Sequence, residues 1–281
     1  MHQTSIVQRK RTTRRRAQRA VRRVLPFLAA LFLATPLAGP VHKSMASEVS
    51  DTRHSLGAGA ALTPTQRFTD HVRTAYAALG AEAQGLPFAT FERALTGYLN
   101  LQAAGKLADN KQRLTVVDFD LPSTEKRLWV LDLAENRVLF HTLVAHGHNS
   151  GENEATHFSN TDASNMSSLG FYVTEGEYAG KHGRSLRLLG QDAGWNTNAA
   201  TRSIVMHGAD YVSEAFIKQN GRLGRSLGCP ALPMAEKDAI IEAVAGGTCL
   251  FINKSDAGYS SPFLNAAKAV AALGVAAHSV S

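Results

Sequence analysis

One cysteine and one histidine have the side-chain types and the surroundings that nucleophilic catalysis needs. Cys229 lies in residues 226–230, between small and turn-forming residues, and His207 follows an apolar, strand-like run. The thiolate is the nucleophilic form of cysteine, and an imidazole that accepts the thiol proton makes the side chain reactive. Because the two residues are 22 positions apart, only the fold can bring them together.

The residue before the cysteine suggests how a developing negative charge would be held. Gly228 lets the backbone bend so that consecutive N–H groups can point at one substrate carbonyl oxygen. Such a pair of donors is an oxyanion hole. We therefore expect the N–H groups of Gly228 and Cys229 to form one.

These residues and their flanking motifs resemble the YkuD-like L,D-transpeptidase catalytic domain, in a branch with the pattern S-x-G-C-P. The usual family pattern is a histidine, a spacer, and then Ser or Thr followed by His-Gly-Cys. Here the spacer of 18 residues after His207 is slightly long, and Leu227 replaces the second histidine. An Asn that often follows the cysteine is replaced by Ala231. The resemblance runs from about residue 85 to residue 253 and includes the motifs Phe158-Ser159-Asn160, Ser167-Ser168-Leu169-Gly170, Gly180-Lys181-His182-Gly183, Ser185-Leu186-Arg187-Leu188 and His207-Gly208-Ala209-Asp210-Tyr211.

The resemblance implies a mechanism on peptidoglycan stem peptides. His207 would be the base, and a main-chain carbonyl, that of Gly208, would orient its ring in place of the acid of a Ser-His-Asp triad. Cys229 would attack a stem-peptide carbonyl that follows an L-configured centre, and a diaminopimelate amine would open the thioester. The acyl donor is open between position three, which gives 3–3 cross-links, and position one, which gives 1–3 cross-links. The family also implies sensitivity to carbapenem-type β-lactams and no cofactor or metal.

Six further residues are candidates for binding the substrate. Arginine binds a carboxylate through a two-pronged fork, and we favour Arg225 over Arg187 because it adjoins Ser226; a structural ion pair is the alternative for both. In this branch the polar loop before a strand lines the cleft. Tyr211 is either an aromatic wall or core, and Leu227 is expected to make the pocket beside the cysteine drier. The six candidates are Ser226, Arg225, Asn165, Ser168, Arg187 and Tyr211.

Two other functions remain open from the sequence. If water in place of an amine opens the thioester, the same site makes a murein endopeptidase or carboxypeptidase. Alternatively, Cys229 and Cys249 form a disulfide in an inactive wall-binding module, although Cys249 lies in an apolar run that is typical of a buried strand. The pair His146 and His148 has metal-ligand spacing, but hydrogen-bonded or surface histidines are the favoured interpretation.

The distribution of charge argues for export and against nucleic-acid binding. Residues 1–46 contain ten Lys and Arg and no Asp or Glu, while the remainder has 20 basic and 23 acidic residues. The basic segment precedes an apolar run at 24–34 and a small-residue cleavage site that ends at Ala46, which is the pattern of a signal peptide. The apolar run is too short for a typical membrane-spanning helix. We expect a periplasmic protein with no stable membrane insertion after cleavage, no nucleic-acid partner and unknown protein partners.

The elements that must position the site are mostly strands. Short runs of β-forming residues with turn residues between them predict a mostly β sandwich or barrel-like catalytic domain with flanking helices. Two amphipathic patterns precede it and predict helices packed on the domain. The predicted organisation is a signal peptide at 1–46, a linker at 47–63, a helical segment at 64–110, the catalytic domain at 111–254 and an Ala-rich tail, either a surface helix or loose, at 255–281.

Overall fold

The computed structural model describes residues 62–80, 85–255 and 258–278. The predicted signal peptide and residues 47–61 of the predicted linker lie outside the described residues. None of the described helices is both long and apolar enough to cross a membrane.

One mixed sheet of eight strands organises the domain, in the spatial order β3-β2-β1-β8-β4-β5-β6-β7. The pairs β1–β8 and β6–β7 are parallel, and the other neighbours are antiparallel. The prediction of a mostly β domain with flanking helices is confirmed. The strands are β1 Arg113–Asp118, β2 Leu128–Asp132, β3 Arg137–Thr142, β4 Gly170–Gly180, β5 Gly183–Gly190, β6 Val205–Ala209, β7 Ala231–Pro233 and β8 Cys249–Asn253.

The central strands are buried on both faces. β2 and β8 are buried along their whole length, which is why their sequences are nearly continuous apolar runs rather than alternating ones. The long hairpin of β4 and β5 differs, because its outer part at residues 175–184 is mostly exposed. This hairpin extends toward the site described below.

Three helices cover one part of the sheet. Thr63 and Gln66 form a capping box at the start of α1 (Pro64–Ala78), and α2 (Phe88–Ala103) packs on β1 and β8. α5 (Ala266–His278) packs on both α1 and α2. Two shorter helices, α3 (Glu214–Asn220) and α4 (Lys237–Val244), flank the loop that carries Cys229. The helices predicted before the catalytic domain are therefore present and packed on it.

The C-terminal part of the chain is packed and helical, which agrees with the helix among the two alternatives predicted for the Ala-rich segment. Tyr259 is buried, and its hydroxyl donates to the Asp192 carboxylate at 2.9 Å. Ser261 donates to the other carboxylate oxygen, and Ala269 of α5 is fully buried. The Ala-rich composition reflects close helix packing at this position.

Candidate active site

The parallel pair β6 and β7 brings the cysteine and the histidine together. His207 on β6 lies opposite Ala231 on β7, and Cys229 comes two residues before Ala231. The Cys229 sulfur therefore lies beside the start of β6, where it accepts from the N–H of Val205 at 3.4 Å and donates to the carbonyl of Ser203 at 3.7 Å. The pairing of these two parallel strands thus places Cys229 beside the strand of His207, although the two residues are 22 positions apart in the sequence.

The imidazole of His207 is held by its own neighbour. Nδ1 lies 2.9 Å from the carbonyl oxygen of Gly208. A carbonyl can only accept, so Nδ1 carries the hydrogen and Nε2 keeps a free lone pair. This is the hydrogen bond that the resemblance implied. Burial lowers the pKa of His207 below its ordinary value, the Gly208 bond opposes this, and His182 and Lys181 lower it further.

The thiol has the opposite shift. Burial raises the pKa of Cys229 above its ordinary value, against the Val205 hydrogen bond and the positive charges of Arg202 and Lys181. At neutral pH the pair is therefore a neutral thiol and a neutral imidazole. No hydrogen bond joins the two side chains among the described residues, and catalytic hydrogen bonds often tighten only when substrate binds.

The predicted oxyanion hole is only half available. Gly228 has φ of +124°, and a Cβ there would lie 2.7 Å from the Met166 carbonyl oxygen, so only glycine fits. Its N–H donates to the Ser226 hydroxyl at 3.0 Å, so it can serve as an oxyanion donor only if this bond opens, and its predicted role stays a prediction. The N–H of Cys229 donates to none of the described residues and remains a candidate donor.

Ser226 is bonded within the catalytic loop. It is buried, and its hydroxyl donates to the Cys229 carbonyl at 2.6 Å while accepting from Gly228. Its backbone N–H donates to His146, and its carbonyl accepts from His148. These bonds support a role in holding the loop, and the predicted contact of Ser226 with a substrate stays a prediction.

Arg225, the arginine that the sequence favours over Arg187 as a carboxylate ligand, has partners within the protein. The Arg225 guanidinium is mostly buried and donates to the carbonyls of His148 and Gly151 and to the carboxylate of Glu152. It is the structural ion pair that the sequence left as the alternative. Its donors hold the loop that follows β3.

Arg187 lies on the face of the sheet that carries the site. It is exposed on β5 and pairs with Val205, next to the pair of Ser185 and His207. Paired residues of an antiparallel ladder point to the same side, so Arg187 shares a face with His207. Its guanidinium lies 4.5 Å from the ring centroid of Tyr178, and no acidic side chain among the described residues pairs with it.

The polar loop at residues 158–168 lies against the catalytic loop. Ser168 is buried, donates to the Ser159 carbonyl and accepts from Arg202, and its predicted role as a substrate ligand stays a prediction. Asn165 is half-buried, with φ of +56°, and its carbonyl accepts from Asn149. Its side chain makes no hydrogen bond to the described residues and remains a candidate.

Tyr211 and Leu227 border the site in different ways. Tyr211 is half-buried and packs on Gly224; burial and the nearby Cys229 raise its pKa to about 12. Leu227 is 67% exposed, so it does not dry the pocket as expected. An exposed leucine beside the nucleophile instead offers an apolar contact at the rim.

Two residues near the site, His182 and Arg202, were not among the candidates selected from the sequence. The ring of His182, at the tip of the β4–β5 hairpin, stacks on His207 with centroids 4.4 Å apart. Arg202 precedes β6 and donates into the polar loop beside Gly228. Lys181-His182 belongs to a motif noted in the sequence, but nothing local indicates that a hairpin folds it over the histidine.

A disulfide between the two cysteines does not fit this structure. Both thiols are free. Cys249 is on β8, and β4 and β5 separate that strand from β6, beside which Cys229 lies. Three strand spacings amount to about 14 Å, well beyond the ~7 Å between Cα atoms that a disulfide tolerates. The wall-binding module stapled by a disulfide is therefore excluded.

The described residues contain no group of three His, Cys, Asp or Glu side chains that could hold a metal ion. His146 of the noted histidine pair is buried and bonded to Arg127 and to the Gly151 carbonyl. His148 is exposed. The two histidines thus lie in different environments, as the hydrogen-bonded interpretation predicts.

The solved structures that this chain resembles at low similarity include L,D-transpeptidases. One from Mycobacterium smegmatis has 13% identity and a TM-score of 0.32, with 51% of this chain and 59% of that chain covered. The helical cell shape determining protein Pgp2 of Campylobacter jejuni, as a K307A mutant, has 13% identity, a TM-score of 0.37 and coverage of 64% and 63%. An L,D-transpeptidase from Stackebrandtia nassauensis has 16% identity, a TM-score of 0.31 and coverage of 67% and 78%. The chain thus spans about three fifths of the first of these relatives.

No curated protein sequence matches the chain. A family model does: the L,D-transpeptidase catalytic domain model matches residues 82–253. These residues contain His207, Gly208, Gly228 and Cys229 and all eight strands, and the match ends at the last residue of β8. Because the match extends over more than half of the sequence, the chain belongs to the L,D-transpeptidase catalytic domain family.

Proposed function

We propose that this protein is a cysteine-dependent L,D-transpeptidase that cross-links peptidoglycan stem peptides. The observation that carries the proposal is the Cys229 thiol placed beside the strand of His207, whose Gly208 hydrogen bond leaves Nε2 free to accept a proton. Family membership supports the substrate class. The described site needs no cofactor for this chemistry.

Acylation forms one bond and breaks another. The proton of the thiol moves to Nε2 of His207, and the sulfur of Cys229 adds to a stem-peptide carbonyl that follows an L-configured centre. The C–N bond to the leaving D-amino acid or peptide then breaks, and its nitrogen takes the proton from Nε2. The product is a thioester on Cys229 and a neutral His207.

Transfer reverses the direction of the proton. The amine of a diaminopimelate side chain attacks the thioester carbonyl and gives a proton to Nε2 of His207. A new amide bond forms, the C–S bond breaks, and the sulfur of Cys229 regains its proton. The sequence of steps has no net change in oxidation state and consumes no high-energy co-substrate.

The electrostatics of the site suit an imidazole that acts as base first. Burial keeps His207 unprotonated and Cys229 protonated, so the proton is transferred only as the carbonyl is attacked. The N–H of Cys229 is the donor available to the tetrahedral oxyanion. A second donor from Gly228 would require it to leave the Ser226 hydroxyl.

The test uses the purified protein with disaccharide-tetrapeptide and disaccharide-tripeptide muropeptides, analysed by mass spectrometry. Dimers that Cys229→Ala does not form would support transpeptidation, and fragmentation distinguishes 3–3 from 1–3 bonds. Cys249→Ala is the matched control, because Cys249 is buried in β8. Shortened monomers without dimers would instead indicate that water opens the thioester, and no product with either substrate would reject the proposal.

Carbapenem acylation gives a second check on the nucleophile. We expect one intact drug mass to be added to the protein on Cys229, because this thiol is half-exposed while Cys249 is fully buried. Peptide mapping locates the adduct. An adduct on Cys249 would contradict the assignment of the nucleophile.

We further infer export to the periplasm from the basic segment and apolar run at the N-terminus. A tagged full-length protein recovered from the periplasmic fraction and beginning at Ser47 would support this. A protein that keeps residues 1–46 and stays in the cytoplasm would reject it.

A further inference from the structure

We propose that Arg202 is a positioning residue that stabilises the negative sulfur of Cys229 with its charge and clamps the polar loop at residues 158–168 against the catalytic loop. The inference rests on the proposed function, because it assigns Arg202 to the same nucleophile. It goes beyond that function by adding a residue outside the His207, Gly208 and Cys229 set.

The clamp is visible in the hydrogen bonds of the guanidinium. Nη1 donates to the Ser159 carbonyl at 2.8 Å and to the Ser168 hydroxyl at 2.6 Å. Nη2 donates to the Ser164 hydroxyl at 3.0 Å and to the Met166 carbonyl at 2.7 Å. All four hydrogens of the terminal nitrogens are therefore used, which the three hydrogens of a lysine could not reproduce.

The same guanidinium lies beside the residue that precedes the nucleophile. A Cβ built on Gly228 would be 3.2 Å from Nη2 of Arg202 and 2.7 Å from the Met166 carbonyl that Arg202 holds. The next residue in the chain, Ser203, accepts the thiol hydrogen through its carbonyl. The side chain of Arg202 therefore lies beside Gly228, and the backbone carbonyl of Ser203 lies against the Cys229 sulfur.

The positive charge of Arg202 has no acidic partner within ion-pair distance among the described residues. The groups that act on its charge are Tyr172, then Cys229, and last the exposed carboxylate of Asp162. Hydrogen bonds to neutral oxygens do not neutralise the charge of a guanidinium, so this charge can still stabilise a nearby anion. Here the group that gains negative charge during the reaction is the Cys229 sulfur.

Other charged and titratable groups face the thiol from each neighbouring element. Tyr211 after β6 and Lys181 at the tip of the β4–β5 hairpin interact with it electrostatically, and His207 lies on the neighbouring strand β6. Lys181 is exposed, so solvent and salt screen its charge. Arg202 is half-buried, and arginine stays protonated at any pH the protein experiences. Arg202 is therefore the constant positive charge at the site.

The first experiment measures the rate of iodoacetamide alkylation of Cys229 as a function of pH, by peptide mass spectrometry. In Arg202→Gln we expect the alkylation pKa to rise and the rate below that pKa to fall about tenfold, the low end of what one neighbouring charge does. Arg202→Lys keeps the charge and should keep most of the rate. Arg137→Gln is the matched control, because Arg137 is largely exposed on β3 at the opposite edge of the sheet.

A second pair of variants leaves Arg202 in place and tests the same inference if Arg202→Gln does not fold. Ser164 accepts from Nη2 and is half-buried. Ser164→Asp puts a carboxylate against the guanidinium and should raise the alkylation pKa, whereas Ser164→Asn keeps an acceptor without charge and should not. The difference between the two variants reports charge alone.

Two outcomes would overturn the proposal. One is an alkylation profile of folded Arg202→Gln, or of Ser164→Asp, that coincides with the wild-type profile. The other is an equal shift in Arg202→Gln and Arg202→Lys, which would leave Arg202 only a structural clamp. Alkylation needs no muropeptide, so failure of cross-linking assays would not be confused with failure of this inference.

Discussion

Single residues set the resting state of this site, and that state is neutral. Many reactive cysteines have a lowered pKa because a cation or helix N-terminus stabilises the thiolate. Here burial raises the pKa of Cys229 and lowers that of His207. The same burial thus acts on both partners in the direction that keeps the proton on sulfur. A thiol that keeps its proton is less reactive toward oxidants and alkylating reagents than a thiolate.

The pH dependence of kcat/KM should report His207. Its protonated form cannot accept the thiol proton, and its pKa lies below the ordinary 6.5. We therefore expect full activity to persist below pH 6.5 and then to fall about tenfold per pH unit once the imidazole is protonated. Because Lys181 lowers this pKa, Lys181→Gln should move the acid limb to higher pH. An acid limb at or above pH 6.5 in the wild type would contradict this account.

The hydroxyl of Ser226 is the second residue whose role can be isolated. Ser226→Ala removes the bonds to the Cys229 carbonyl and the Gly228 N–H, so the loop should lose about 1 kcal/mol and the nucleophile its fixed position. We expect kcat to fall about tenfold, with Ser226→Thr restoring much of it. Single-turnover acylation measures the effect. Faster acylation in Ser226→Ala would instead identify Gly228 as an oxyanion donor that Ser226 normally occupies.

At the scale of elements, the sequence predicts buried strands from their apolar runs, but it does not predict a strand that forms only by pairing with a neighbouring strand. β2 and β8 are continuous apolar runs, which is the pattern that predicts a buried strand from sequence. β7 has no such pattern, because three residues that end in a proline have no periodicity of their own. It is a strand only because β6 lies beside it.

The contact between α2 and the sheet depends on the absence of a side chain at Gly97. A Cβ there would lie 1.9 Å from Cζ of Phe171, whose ring is stacked on Phe251 with centroids 4.3 Å apart. Gly97→Ala gains about 1 kcal/mol of helix propensity, but overpacking against rings that cannot move costs about 1–3 kcal/mol or more. We expect a net loss of stability in urea unfolding.

Gly176 is the matched position for that experiment. It lies in β4, and a Cβ there would meet nothing within 4 Å. Gly176→Ala should leave the free energy of unfolding close to that of the wild type. Equal stability of Gly97→Ala and Gly176→Ala would show that α2 can shift and that the contact is not tight.

At the scale of the whole molecule, the C-terminal segment is joined to the sheet through one buried carboxylate. Asp192 accepts from the Phe171 N–H at 2.6 Å, from Tyr259 and from Ser261. Asp192→Ala leaves three donors without an acceptor, and we expect a loss of about 3 kcal/mol or more. Ser261→Ala removes one donor and should cost about 1 kcal/mol. Denaturant unfolding measures both, and a stability of Asp192→Ala near that of Ser261→Ala would argue against the shared anchor.

The site shows the same division between local and long-range information. The hydrogen bond between His207 and Gly208 was predictable because the residues are adjacent and the motif is contiguous. The hydrogen-bond partners of Ser168, Ser226 and Arg225 were not, since they depend on residues and loops that the local sequence does not identify. Arg202 and His182 became visible only when loops from three elements met.

The stability of the protein in acid depends on His146, which connects the buried side chain of Arg127 to the catalytic loop. Nη2 of Arg127 lies 2.8 Å from Nδ1 of His146, and a guanidinium can only donate, so this ring must be neutral. The His146 carbonyl accepts from the N–H of Ser226. Burial, and then the charge of Arg127, lower the pKa of His146 to about 4. Protonation of His146 would therefore disturb the support of the cysteine loop.

The sign of the resulting pH dependence follows from linkage. The unfolded chain takes up a proton on His146 near pH 6.5, and the folded chain does not until about pH 4, so unfolding is favoured as the pH falls through this window. One group with this shift contributes about 3 kcal/mol between the two limits. His146→Gln keeps an acceptor for Arg127 and a donor for the Gly151 carbonyl but cannot titrate. The difference in unfolding free energy between wild type and His146→Gln should therefore shrink or reverse as the pH falls from 7 to 4.5, and a difference that does not change with pH would show that His146 is not the group that limits stability in acid.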